Sequence, residues 1–99
     1  MDLYKSWVIV EELHTQKEKA CRLLILLNFA GFNVYSTATV EGINANYSRI
    51  RYNDESKRIF ITSVVQHGYD VRYGTKAQEV SYDEVMKEVL KVLGKEHEI

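Results

Sequence analysis

The spacing of hydrophobic residues changes character along the chain, and each change marks an element. From Ser6 to Leu13, Trp7, Val8, Ile9 and Val10 follow one another without a polar break. A short β-branched and aromatic run of this kind predicts a strand covered on both faces, central in a sheet. From 16 to 30 the spacing becomes helical. Thr15 and Glu18 stand in the S/T-x-x-E relation of a capping box, Ala20, Leu23, Leu24, Leu27 and Phe29 follow, and Gly31 suits the residue after the last turn. Cys21, Ile25 and Leu26 widen the apolar sector beyond a single stripe. The helix is therefore expected to be deeply buried or partly covered by a second subunit.

Asn33 to Glu41 alternates around Val34, Ser36, Ala38 and Val40, with the Thr and Tyr content of a strand, and ends at Gly42. A loop runs to Asn46, and Tyr47 to Tyr52 and Arg58 to Val65 then read as a hairpin about the polar turn Asn53 to Lys57. A second reversal at Gln66, His67 and Gly68 leads to a strand from Tyr69 to Tyr73 and completes a three-stranded meander closed by Gly74. Ser81 and Glu84 form another capping box, and Tyr82, Val85, Met86, Val89, Val92 and Leu93 behind them make an apolar helical stripe stopped by Gly94. Acid early and base late on its outer face suit the helix dipole. Residues 95–99 are expected to fray. The order β-α-β-β-β-β-α predicts an α+β fold in a single two-layer domain over 1–99: a mostly antiparallel sheet of about five strands with two helices on one face. A ferredoxin-like arrangement would need a further strand after the second helix, which the last five residues cannot form.

With 99 residues, 45% apolar and 27% charged, the chain has the composition of one ordinary globule, neither disordered nor divisible into two cores. A net charge of −1 gives no whole-molecule attraction to nucleic acid or anionic lipid. The single Cys21 excludes an internal disulfide and reads as a small buried hydrophobe of a reducing compartment. The first residues lack a signal-peptide pattern and the longest apolar run, Leu23 to Leu27, is far too short to span a bilayer, so a cytoplasmic protein without a membrane segment is expected. Proline is absent, which leaves Gly, Asn and Asp to make the reversals.

The surface that draws attention is the hairpin. If the turn at 53–57 pairs Ile50 with Ile59, Arg49 lies opposite Phe60 and Arg51 opposite Arg58, with Tyr47 on the same face. Val64, Val71 and Tyr73 join that face if the next reversal falls at His67 and Gly68, and Arg72 adds a further cation nearby. Tyr47, Arg49, Arg51, Arg58, Phe60, Arg72 and Tyr73 are thus the expected partner-binding residues, since Tyr and Arg dominate binding hot spots. A slip of one residue would instead turn the aromatics into the core.

Chemistry has little sequence support. No phosphate-binding glycine loop, dinucleotide fingerprint or H-E-x-x-H motif occurs, and His14, His67 and His97 lack metal-ligand spacing. Cys21 lies on an apolar helix face, where a thiol is inert; Glu11 and Glu12 point to opposite strand faces and cannot form a working dyad without a bulge, Asp54 and Glu55 belong to an exposed turn, and both pairs are expected to be solvated. No cofactor, metal or catalytic residue is expected. The reading that follows is a small non-enzymatic protein that regulates, inhibits or adapts a larger protein partner and forms a homodimer. Compact chains without catalytic motifs are frequent among phage and mobile-element accessory proteins, which adds a host-directed inhibitor to the expected roles. The alternative is a nucleic-acid-binding module with Arg49, Arg51, Arg58 and Arg72 on phosphates and Tyr47, Phe60 or Tyr73 stacked on bases.

Overall fold

In the computed structural model, which describes residues 1–35, 40–73 and 77–94 (backbone alone for 40 and 69–73), the chain forms a mixed five-stranded sheet with helices on both faces. The elements are β1 (Trp7–Ile9), α1 (Lys17–Phe29), β2 (Asn33–Val34), a 3-10 turn at Val40–Gly42, β3 (Tyr47–Asn53), β4 (Arg58–Ser63), α2 (Val64–Tyr73), β5 (Gln78–Val80) and α3 (Tyr82–Val92). The spatial order is β2-β4-β3-β1-β5. The pairs β1 with β3 and β3 with β4 are antiparallel, whereas β1 with β5 and β2 with β4 are parallel. The α+β class and the five strands agree with expectation, but the sheet is mixed rather than mostly antiparallel.

Side-chain alternation gives the sheet two distinct faces. One cross-strand row, Gln78, Trp7, Tyr52, Ile59 and Val34, runs through all five strands on the front. With Ile9, Ile50 and Val80 it meets Ala20, Leu23, Leu24 and Leu27 of α1 and Tyr82, Val85 and Val89 of α3 in one core. The indole of Trp7 donates to the Leu3 carbonyl at 3.0 Å, which satisfies its one polar atom while the ring stays buried. Phe32 meets Tyr52 edge-on at 5.2 Å between centroids.

Local signals explain where the helices begin and end. Ser81 forms the reciprocal capping box with Glu84, and Glu11 adds a third partner by accepting the Tyr82 N–H at 2.9 Å. Gly31 and Gly94 follow α1 and α3 with φ of +96° and +69°, the left-handed conformation that ends a helix. At the start of α1 the expected cap does not form: the N-cap is Gln16, without a side-chain hydrogen bond, one residue beyond Thr15.

The main correction concerns 64–73. This stretch was expected to finish one strand, turn at His67 and Gly68 and return as another; it is instead helix α2. Ser63 caps it by accepting the Gln66 N–H at 2.9 Å, a partner that a continuing strand could not offer. The fifth strand is supplied by Gln78–Val80, and a third helix lies outside the expected pair. Of the strand expected over 33–41, Asn33–Val34 is formed, 36–39 lie outside the described residues, and Val40–Gly42 is a 3-10 turn instead. The frayed tail expected at 95–99 lies outside them too.

Candidate functional site

The back of the sheet carries the polar residues. Register places Glu79, Val8, Arg51 and Phe60 in one row across β5, β1, β3 and β4, with Arg49 and Thr62 paired in the next row. The Arg51 guanidinium lies 5.6 Å from the Phe60 ring centroid and the residue is 7% exposed. Helix α2 packs against β3 and β4. Among its described side chains His67 alone is buried, at 4% exposure, while Val64, Val65 and Gln66 face solvent.

His67 bridges two strands. Its Nδ1 is hydrogen-bonded to the Arg49 guanidinium and its Nε2 lies 3.1 Å from Oε2 of Glu79. Arginine can only donate, so Nδ1 accepts and the ring is the neutral tautomer with its proton on Nε2, donated to the carboxylate. Both ring nitrogens are thus engaged while α2 is docked, leaving neither for a nucleophile or a metal. Nor do the described residues hold any group of three or more His, Cys, Asp or Glu able to bind a metal ion.

The expected surface residues are separated by this arrangement. The hairpin pairs two residues away from the expected register: Arg51 faces Phe60, Arg49 faces Thr62, and Arg58 faces Asn53. A shift of two keeps each residue on its face, so the Arg51 and Arg58 like-charge pair does not exist although both remain on the back. An irregularity between Tyr47 and Arg49 breaks the alternation and pairs Tyr47 with Ser63, so exposed Tyr47 does not extend the row. Arg58 is exposed and stacks over the Tyr35 ring at 5.3 Å, and Phe60 is half-buried. Arg72 and Tyr73 belong to α2 and not to a strand, and their side chains lie outside the described ones. His67, Glu79 and Tyr35 were missed. Ser63 and Gln66 supply the S-x-x-Q signature that could have revealed α2 and hence His67.

The front of the molecule exposes a second surface. Ile25 is 51% exposed and Phe29 75%, four residues apart on α1, with half-buried Cys21 one turn earlier on the same line. Cys21 is thus less enclosed than expected. It lines a shallow groove of about 520 Å³ with Lys17, Glu18, Arg22, Ile25 and Leu26.

Two tyrosines are electrostatically perturbed. Burial raises the Tyr52 phenol above its ordinary value, helped by the Asp54 carboxylate and by Tyr4. Burial also raises Tyr82, against the pull of Arg22 and with a smaller push from Asp83, and its hydroxyl donates to the Lys19 carbonyl at 3.0 Å. Both belong to the packed front layer, so these shifts report packing. Among the described residues no helix is long and apolar enough to cross a membrane.

No protein-family model matches this chain, nor does any curated protein or solved structure.

Proposed function

We propose that this protein is a small non-enzymatic regulator or inhibitor that binds a larger protein in the cytoplasm and acts as a homodimer, with a host-directed accessory role as one form of that activity. The observation that carries this reading is the presence of exposed apolar or aromatic groups on opposite sides of one sheet: Ile25 and Phe29 on α1 in front, Tyr35 stacked with Arg58 behind. Because the two lie back to back, one can hold a second copy while the other meets a partner. Aromatic residues beside arginine suit a protein interface. Nucleic acid fits this surface less well, because Arg49 bonds His67 and Arg51 is buried against Phe60, so neither presents an open guanidinium to a phosphate.

The test is affinity capture by the tagged chain from nuclease-treated lysate of its native host, comparing wild type with Tyr35→Ala/Arg58→Ala. A partner retained by wild type and lost by the double variant is the expected result. Equal recovery on both chains, or capture that disappears with nuclease, overturns the reading.

A further inference from the structure

Among its described side chains, helix α2 meets the sheet through a polar group. Its described apolar residues point outward, Val65 being 83% exposed, and the described side chain that enters the interface is an imidazole. A surface helix is ordinarily held by an apolar stripe. Here a hydrogen-bonded relay, Arg49 to His67 to Glu79, joins the helix to two different strands.

We infer that α2 is a latched cover over the back of the sheet, and that protonation of His67 opens the latch. The present arrangement requires a lone pair on Nδ1 to accept from Arg49. Adding a proton there turns the acceptor into a donor facing another donor, and places two cations against each other at a buried contact. The described charged groups that meet His67 are Arg49 on β3 and Glu79 on β5; the same sheet face also carries Arg51 on β3, Val8 on β1, and Phe60 and Thr62 on β4. Of these, Arg49 meets the ring at the nitrogen that must accept, and the Glu79 carboxylate, itself half-exposed, meets the other. Histidine is the side chain that ordinarily changes charge in the mildly acidic range, so acidification is the perturbation that tests the latch. Opening would uncover the row of Val8, Arg51 and Phe60 together with Arg49, extending the face that already shows Tyr35 and Arg58. The latch stands on its own geometry, whatever the partner.

Amide hydrogen exchange on the full chain tests it, with rates normalised for the intrinsic effect of pH. Between about pH 7.5 and 5.5, exchange over Val64–Tyr73 is expected to quicken by about tenfold while Ile50 and Ile59 in the core keep their protection. His67→Gln retains an acceptor for Arg49 and a donor for Glu79 but cannot titrate, and should remain protected at both pH values. His67→Ala should exchange fast at both. The inference is overturned if acidification leaves α2 protection unchanged or strengthens it, if His67→Gln shows the wild-type response, or if α2 and the central strands lose protection together.

Discussion

At the scale of single residues, the front-face core and its phenols set the stability. Ile50 and Val85 are fully buried on facing layers, so Ile50→Ala or Val85→Ala leaves a void; about 2–5 kcal/mol is expected for the isoleucine, read as a shifted urea midpoint at unchanged slope. Tyr52 and Tyr82 have folded-state values raised above the unfolded phenol, so the neutral forms are favoured in the fold. Their contribution is fully present below about pH 10, and is lost as pH rises from there through the folded values. Urea midpoints measured at neutral pH and above about pH 10 should therefore fall on the alkaline side, and Tyr82→Phe should flatten that fall while weakening the neutral-pH fold by about 1 kcal/mol through loss of its bond to Lys19. An alkaline fall equally steep in the variant would assign the effect to other groups. Lys57 adopts φ of +58° in the hairpin turn, a left-handed conformation that glycine occupies without strain. Lys57→Gly should stabilise the hairpin by about 0.5 kcal/mol in thermal unfolding, the relief of strain exceeding the added backbone entropy. The front-face core residues were legible because the layer between sheet and helices is filled by apolar side chains at strand and helix spacing. The role of His67 was not, since a lone histidine acquires meaning only from the donor and acceptor that tertiary structure brings to its ring.

At the scale of elements, the helices differ in how firmly their ends are held. Three first-turn donors of α3 have side-chain partners in Ser81, Glu84 and Glu11, whereas α1 starts at Gln16 without one. Ser81→Ala is expected to destabilise by about 1 kcal/mol. Glu11→Ala should add to this by less than the sum of the two single effects, because both side chains act on one helix terminus, and a double-mutant cycle by urea unfolding measures the coupling. The capping box of α3, its apolar stripe and Gly94 were all readable in advance because every part lies within one stretch of chain. The hairpin was readable too, but its pairing was placed two residues away, since alternation fixes the face and leaves shifts of two undetermined. Helix α2 was read as a turn and strand for an identifiable reason: Val64 and Val65 are β-branched and Gly68 disfavours a helix interior, which outweighed the Ser63 and Gln66 cap signal.

At the scale of the whole molecule, the unpartnered line of Ile25 and Phe29 bears on assembly. Light scattering at micromolar concentration is expected to give twice the 11.5 kDa chain mass, and Ile25→Ser/Phe29→Ser should return the chain mass with little loss of folding stability, since both side chains are exposed. A wild-type mass of one chain would remove the dimer. By itself the sequence determined the α+β class, the two front helices and the residues that fill their core, because amphipathic spacing and capping act between near neighbours. It also singled out a face bearing Arg49, Arg51, Arg58 and Phe60, because strand alternation is local. Only the tertiary structure decided that β5 pairs in parallel with β1, that α2 covers part of that face, and that Arg49 is held by His67 while Arg58 stays open beside Tyr35. Those outcomes depend on hydrogen-bond and packing partners far apart in the chain, whose competition no local pattern records.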